Sequence, residues 1–342
     1  MSRQTVLLLF GGESSEHDVS IMSARNVYAA MDGEKYDVLL CYIDRTGKWW
    51  LLDNWQENLD EHGGVRLAAV PGSGSFITIP GDKVVHVDIA FPVLHGENGH
   101  EDGAVQGLMN LTHIPVIGCS LGASAVCWDK LYTKQLLVAN NISVTPYVAY
   151  RKGETMPSYD ELALRLSTEL FVKPTVAGSS VGVSKVHSEA ELQPAIEAAL
   201  EHSMTVLIEK AVVGRELEVA VLGNPPNHQT SGVGEIIPGE EFYSYEDKYS
   251  PDSKAQVLTR ADLSDDLRDQ IKAVAYDAYS VLGCEGLARV DFLVAESGKI
   301  YVNELNTLPG FTNISQYPKL WSEQSIRYSE LIDRLIELAS KK

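Results

Sequence analysis

The first third of the chain alternates apolar strands with helices, and this order constrains the fold more than any other feature. Residues 5–10 are almost entirely apolar, which is typical of a strand buried in a parallel sheet. Gly11-Gly12 ends this strand, and a helix is predicted over Val19–Met31. Further elements follow in the same order: strands over 36–43 and 87–94, and a short helix over 103–111. This order predicts a parallel sheet flanked by helices, an α/β arrangement.

The remainder of the chain predicts a different, α+β pattern. The segment 53–85 is rich in Gly, Asp and Asn and predicts a hairpin excursion, whereas 124–140 predicts one long helix. Later strands are predicted over 170–174, 184–186 and 205–210, and later helices over 189–202, 265–282 and 327–340. We therefore expect three domains, at 1–122, 123–214 and 215–342.

The charge balance argues against two classes of partner. The 342 residues carry a net charge of −19, which disfavours nucleic acid and anionic membrane surfaces.

The sequence also bears on where the protein is located. No apolar run approaches the length of a membrane span, and the first residues do not resemble a signal peptide. The four cysteines form no CxxC pair. We therefore expect a cytoplasmic protein with reduced thiols.

A hairpin near the end of the chain predicts a cluster of oxygen ligands. The strand 286–294 carries Arg289 and Asp291, and the strand 300–306 carries Glu304 and Asn306. Residues two apart on a strand share a face, so these side chains converge if the faces match. Such oxygen ligands suit Mg²⁺, which proteins hold with one or two carboxylates plus substrate phosphates. The alternative is an exposed polar face of a hairpin.

Two loops follow strands of the predicted parallel sheet, at the edge where such sheets bind ligands. The first carries Glu16 near a helix start, where it could receive a substrate ammonium. Alternatively, the Ser and Asp residues of this loop only cap the helix. The second loop runs from His95 to Gly103 and is rich in His, Glu and Asp. We expect it to line a substrate pocket; a zinc site is the alternative, although the spacing matches no common one.

Two central segments have the character of a nucleotide site. Lys173 precedes the glycine-bounded loop 178–182, whose small residues would let backbone N–H groups approach phosphates. Residues 207–212 end a strand, with Glu216 just beyond, and could bind adenine and ribose. The alternatives are a tight hairpin for the loop 178–182 and an ordinary strand end for residues 207–212.

At this point the sequence resembles the ATP-grasp superfamily and, within it, the D-alanine–D-alanine ligases. The resemblance runs along nearly the whole chain and rests on several motifs in the same order. One departure is His100, which stands as an inserted residue before Glu101-Asp102-Gly103. The motifs are the glycine loop with Glu16, the segment 95–107, Lys173-Pro174 with 178–182, the segment 242–249, 289–291, 304–306 and 309–312.

The resemblance implies an ATP-grasp fold and an acyl-phosphate route to a dipeptide of D-alanine. It places Glu16 at the ammonium of the first D-alanine, in one hydrogen-bonded set with Ser179 and Tyr249. Arg289 and the Gly310 N–H are implied to stabilise an oxyanion. His95 is implied to lie in the substrate loop, and Ser315 to bind the second D-alanine. A polar loop over 238–256 is expected to close over the site.

The resemblance also implies the cofactors. Two Mg²⁺ ions, with Mn²⁺ as a substitute, are expected on Asp291, Glu304 and Asn306. The resemblance implies two further groups of ATP-binding residues. The phosphates are expected to contact Lys130, Lys173 and Lys248, and adenine and ribose are expected to contact Glu209, Lys210, Val212 and Glu216. A homodimer is expected. Synthesis of D-alanyl-D-serine or D-alanyl-D-lactate and a non-catalytic ATP-binding module are the alternatives; Tyr249 disfavours lactate.

Overall fold

The computed structural model describes residues 3–59, 63–239 and 254–341, and within these ranges it contains three β-sheets. They have seven, four and five strands and follow one another along the chain. Helices pack on all three sheets. The protein is therefore a mixed α/β and α+β structure, as predicted.

The first sheet is parallel only around its first strand. β1 pairs in parallel with β2 and β7, whereas the strands beyond β2 run antiparallel to one another. The predicted hairpin excursion thus widens the same sheet. The strands are β1 Gln4–Gly11, β2 Tyr36–Ile43, β3 Trp49–Leu52, β4 Val65–Val70, β5 Ser75–Ile79, β6 Val84–His86 and β7 Ile89–Pro92, in the order β6-β5-β4-β3-β2-β1-β7.

The long helix predicted over 124–140 was wrong, because the structure has two helices there. α3 spans Leu121–Trp128 and α4 spans Lys130–Ala139. Asp129 between them is extended, and its carboxylate accepts hydrogen bonds from the N–H groups of Leu131 and Tyr132. An aspartate that caps a new helix start in this way ends the previous helix. Before them lie α1 (His17–Ala30) and α2 (Ala104–Thr112).

The second sheet is antiparallel and has the order β10-β9-β11-β8. Its core is formed by alternate apolar residues such as Val172, Val206 and Ile208, which pack against helix α6. The elements are β8 Tyr147–Arg151, α5 Tyr159–Arg165, β9 Leu170–Pro174, β10 Ser184–Val186, α6 Glu189–Ala199 and β11 Thr205–Lys210.

The third sheet is also antiparallel and has the order β14-β13-β12-β15-β16. Helix α7 packs on one face of it, and α8 contacts β12 and β13. The elements are β12 Gly214–Leu222, β13 Gln229–Ile237, β14 Gln256–Leu258, α7 Asp265–Val281, β15 Leu287–Ala295, β16 Ile300–Asn306, α8 Gln316–Ser322 and α9 Tyr328–Ala339.

The first and third sheets share one apolar core. Phe91 of β7 meets Phe311 edge to face at 6.2 Å between ring centroids, and Trp321 and Leu335 of the last helices are buried in the same cluster. This core fixes the loop that carries Glu16 relative to the hairpin β15–β16. In the ranges described, no helix is both long and apolar enough to cross a bilayer.

Candidate active site

A single cleft of about 920 Å³ is lined by residues that belong to all three sheets and their loops. Its volume is in the range of small-molecule sites. Lys248, Tyr249 and most of the segment 238–256 lie outside the described residues. Every other predicted site residue lines this cleft: Glu16, His95, Lys130, Lys173, Ser179, Glu209, Lys210, Val212, Glu216, Arg289, Asp291, Glu304, Asn306, Gly310 and Ser315.

Three carboxylates stand in a row on one wall of the cleft. Asp291 lies opposite Glu304 on β16 and opposite Glu218 on β12, and Arg289 lies opposite Asn306. A β-bulge at Asn303 shifts the register just before Glu304. The side chains at these paired positions therefore lie on the same face of the sheet. Glu218 belongs to the same row, although sequence analysis did not select it.

Arg289 is the cation at the centre of this row. Its Nε and Nη2 each donate to a carboxylate oxygen of Asp291 at 2.7 Å, and Nε lies 3.2 Å from Glu218 Oε1. Burial opposes the charge, but Asp291 and Glu218 raise the pKa of Arg289 well above its ordinary value. The guanidinium is therefore permanently charged and held in one plane.

Helix α4 supplies two lysines from one face, since residues four apart are neighbours on a helix. Lys130 Nζ lies 3.4 Å from Glu304 Oε2 and donates to the Ala177 carbonyl at 2.7 Å. One turn later, Lys134 Nζ lies 3.0 Å from Glu209 Oε1. The helix thus connects the row of carboxylates to the strand β11.

Glu209 is buried between two lysines. Lys173 Nζ lies 2.8 Å from its Oε2 and also donates to Asn303 Oδ1 at 3.3 Å. Burial opposes ionisation of Glu209, but Lys134 and Lys173 lower its pKa below the ordinary value. Burial lowers the pKa of Lys134 to about 8, although Glu209 partly offsets this effect.

The loop after β1 reaches the glycine-bounded loop of the second sheet through one hydrogen bond. Ser179 Oγ donates to Glu16 Oε1 at 2.7 Å. Glu16 stands at the start of α1 but makes no side-chain capping bond. Instead its N–H donates to Ser14 Oγ at 3.1 Å, and Ser14 donates to the His95 carbonyl. The carboxylate of Glu16 therefore faces the cleft rather than the helix.

His95 anchors the loop 95–103 to neighbouring segments of the protein. His95 is 3% exposed; its Nδ1 lies 3.0 Å from the Leu308 carbonyl oxygen and its Nε2 lies 3.2 Å from Ser23 Oγ. Burial lowers the pKa of His95, and Glu16 partly offsets this. Within the described ranges, no group of three or more His, Cys, Asp or Glu side chains is placed to hold a metal ion.

Two further residues of this loop differ in their surroundings. Glu101 lines the cleft and accepts a hydrogen bond from the Gly96 N–H at 2.9 Å; burial, followed by the Glu16 charge, raises its pKa to about 8. The ring of the inserted His100 forms a hydrogen bond with the Glu97 carbonyl through Nδ1 and packs against Gly12. A Cβ on Gly12 would lie 1.9 Å from His100 Nε2, so this ring requires the glycine.

Gly310 and Ser315 are in direct contact. A Cβ on Gly310 would come within 2.6 Å of Ser315 Oγ. That hydroxyl accepts from the Thr312 N–H at 2.9 Å and lies 2.8 Å from Thr312 Oγ1. The lack of a side chain at 310 therefore lets the turn 310–315 close against the cleft.

The oxygen donors of Asp291, Glu304 and Asn306 fit a magnesium site. They lie on two adjacent strands, with Asp291 opposite Glu304 and Asn306 two residues further along β16. The set comprises two carboxylates and one amide, and Mg²⁺ is held by one or two carboxylates when phosphates supply other ligands. Lys130 and Arg289 already balance part of the negative charge.

Sequence reasoning missed Lys134, Glu218 and Asn303 as members of the site. Lys134 follows Lys130 at the helical spacing, and Glu218 follows Glu216 at the strand spacing. Each therefore shares a face with a predicted site residue, but neither spacing indicates which residue it contacts. Asn303 is different, because it joins the site only through the bulge in β16.

Comparison with known proteins agrees with this geometry. The family model described as the D-ala D-ala ligase N-terminus matches residues 5–119, and the model for the C-terminus matches residues 136–337. The chain belongs to the D-alanine–D-alanine ligase family. The resemblance found in the sequence is confirmed, and with it the ATP-grasp fold.

The ligase family includes relatives of similar length to this chain. A D-alanine–D-alanine ligase A from Chromobacterium violaceum is 44% identical and covers 100% of this chain and 96% of its own. The solved D-alanine–D-alanine ligase from Coxiella burnetii has a TM-score of 0.88 at 34% identity over 99% of this chain and 96% of its own. A D-Ala:D-Ser ligase from Enterococcus faecalis has a TM-score of 0.90 at 33% identity, over 99% and 100%.

Proposed function

We propose that this protein joins two D-alanine molecules into D-alanyl-D-alanine, a peptidoglycan precursor, with the conversion of ATP to ADP and phosphate. The observation that carries the proposal is the single cleft in which all the predicted residues of the described chain meet. The family membership supports the same reaction.

The reaction needs two displacements. An oxygen of the first D-alanine carboxylate attacks the γ-phosphorus of ATP, and ADP leaves. The amine of the second D-alanine then attacks the acyl carbon, and phosphate leaves with the oxygen that it had gained. Two Mg²⁺ ions, or Mn²⁺, held by Asp291, Glu304 and Asn306, would offset the negative charge of the phosphates during the transfer.

The amino-acid substrates are assigned to the side of the cleft formed by the first domain. The Glu16 carboxylate, held by Ser179, binds the ammonium of the first D-alanine, and Tyr249 joins this set. Ser315 binds the carboxylate of the second D-alanine, and His95 fixes the substrate loop against Leu308. Both D-alanines are thereby oriented before the chemical step.

Arg289 and the Gly310 N–H are assigned to the oxyanion of the tetrahedral intermediate. Arg289 is already charged and oriented by Asp291, so little reorganisation is needed when the negative charge develops. Pre-oriented donors of this kind give some of the largest contributions to catalysis.

The nucleotide is assigned to the side of the cleft between the second and third sheets. Lys130, Lys173 and Lys248 contact the phosphates, and Glu209, Lys210, Val212 and Glu216 surround adenine and ribose. The domains at 1–122, 123–214 and 215–342, a homodimer and a cytoplasmic location complete the proposal. All four cysteines are buried and none is in a disulfide, which suits a reducing compartment.

A panel of amino acids tests the proposal. The purified protein is incubated with MgATP and D-alanine, either alone or mixed with L-alanine, D-serine or D-lactate, and phosphate release and product mass are recorded. We expect D-alanyl-D-alanine with one ADP per dipeptide. Dominant mixed products with D-serine, as the name of the Enterococcus faecalis relative describes for that protein, or with D-lactate would contradict the assignment. Phosphate release that does not increase when D-alanine is added would favour the non-catalytic ATP-binding module.

A further inference from the structure

Lys134 is fully buried, although lysine is almost never fully buried unless it is paired. Its side chain is 0% exposed, and its ammonium lies beneath the cleft at 3.0 Å from Glu209 Oε1. The ring of Tyr147 lies on another side, with the ammonium 6.0 Å from the ring centroid. The assigned roles of the cleft leave this lysine unused.

The pairing is a triad rather than a simple ion pair. Lys134 Nζ lies 3.0 Å from Glu209 Oε1, and Lys173 Nζ lies 2.8 Å from Glu209 Oε2. All three groups are buried, with side-chain exposures of 0%, 3% and 10% for Lys134, Glu209 and Lys173. With all three groups ionised, two cations share one anion, and the triad has a net charge of +1.

We propose that Lys134 is a positioning residue for the nucleotide phosphates, because it neutralises Glu209 and leaves the charge of Lys173 available to a bound polyphosphate. Without Lys134, Glu209 and Lys173 would form a one-to-one pair with no net charge. Since charges act strongly on one another at a buried site, that pair would attract phosphate oxygens much less. The inference rests on the proposed use of ATP.

The position of Lys134 on α4 supports this role. Lys130, one turn earlier on the same helix face, lies against Glu304, and Lys173 reaches Asn303, the residue before Glu304. One helix thus places a lysine beside a carboxylate at each end of the proposed nucleotide site. A purely structural lysine would need only to hold α4 against β11.

Binding of ATP, ADP and adenosine distinguishes a charge effect from a structural one. Dissociation constants are measured by titration calorimetry for the wild type, Lys134→Met, Glu209→Gln and Lys134→Met/Glu209→Gln. Lys152→Met is the control, since Lys152 is an exposed lysine beyond β8. We expect Lys134→Met to weaken ATP binding about tenfold, or about 1.4 kcal/mol, ADP binding less, and adenosine binding not at all.

The double variant is the decisive comparison. Glutamine at 209 keeps an acceptor for the base but removes the negative charge, so Lys173 again carries a net charge of +1. The ATP affinity of the double variant is compared with that of Glu209→Gln alone, and we expect the two to agree within about threefold, or about 0.7 kcal/mol, because Lys134 then has no negative charge to neutralise. Equal losses for adenosine and ATP in Lys134→Met, no loss in Lys134→Met, or a tenfold loss caused by Lys134→Met in the Glu209→Gln background as well would each overturn the inference.

Two outcomes need a separate interpretation, namely a misfolded variant and a wild type without ligase activity. If circular dichroism shows that Lys134→Met does not fold, the comparison of the double variant with Glu209→Gln still decides, because a tenfold or greater loss of ATP affinity between these two contradicts the charge account. If the wild type binds ATP but makes no dipeptide, the proposed function fails while the binding comparison stands.

Discussion

Asp291 lies directly opposite Glu304 in the hairpin β15–β16, and Glu218 lies on the other side of Asp291 in β12. Three carboxylates on adjacent strands repel one another unless cations offset their charge. Arg289 and Lys130 provide part of that charge. We therefore expect Asp291 and Glu304, together with Asn306, to bind divalent cations that are bridged to phosphates.

Asp291→Asn or Glu304→Gln should lower ligation about a hundredfold or more, because each removes a charged metal ligand worth several kcal/mol in the transition state. The fold should be retained, as judged by circular dichroism. Glu296→Gln is the matched control, since Glu296 is exposed in the turn of the same hairpin. Turnover of either site variant at near wild-type rates in moderate Mg²⁺ would rule out the metal assignment.

Ser179→Ala should raise the KM for the first D-alanine about tenfold or more, because a hydrogen bond to a charged group contributes about 1.5–3 kcal/mol. The affected bond is that of Ser179 Oγ to Glu16. Steady-state kinetics of Ser179→Ala, Glu16→Gln and the double variant form a cycle. Additive losses would show that the two side chains do not act together on the substrate.

Gly310→Ala should lower kcat/KM, since the new methyl group would lie 2.6 Å from Ser315 Oγ and displace the turn that carries the proposed oxyanion donor. A second substitution, Ser315→Ala, removes that oxygen and should restore the thermal stability but not the binding of the second D-alanine. Gly232→Ala is the control, because nothing lies within 4 Å of a Cβ there. Unchanged kinetics in Gly310→Ala would contradict the assignment of the Gly310 N–H as an oxyanion donor.

The pH dependence of stability should change in Glu101→Gln. Burial and the Glu16 charge raise the pKa of Glu101 from 4.5 to about 8, so the folded protein keeps a proton that the unfolded chain loses. This contribution is fully present below the unfolded pKa and is lost as the pH rises through the folded pKa. The melting temperature of the wild type relative to Glu101→Gln should therefore fall between pH 5 and about 8. Parallel melting curves of the two proteins across this range would contradict a buried proton on Glu101.

Local patterns were sufficient for many elements of the fold. The strands over 170–174, 205–210 and 300–306 have the predicted bounds, because apolar alternation and turn residues mark them. The broken helix was missed because the propensity of the flanking residues concealed the capping role of Asp129. A cap is decided by a few hydrogen bonds, which a periodic pattern does not show.

The site was predictable where residues lie close in sequence and less so where distant strands meet. The spacing of Asp291 and Glu304 indicated a shared face, and the family motifs supplied the other residues. The pairing of Lys134 with Glu209 depends on how α4 packs against β11, and the position of Glu218 opposite Asp291 depends on which strands are adjacent. Strand order is a property of the whole fold, so no local pattern contains it.

The transfer of oxygen from D-alanine to phosphate tests the central claim most directly. D-alanine labelled with ¹⁸O in both carboxylate oxygens is incubated with the protein and MgATP, and the dipeptide and the released phosphate are analysed by mass spectrometry. An acyl-phosphate route predicts D-alanyl-D-alanine and one ¹⁸O atom in each phosphate released. Phosphate without ¹⁸O, or ATP consumption without dipeptide, would contradict the account.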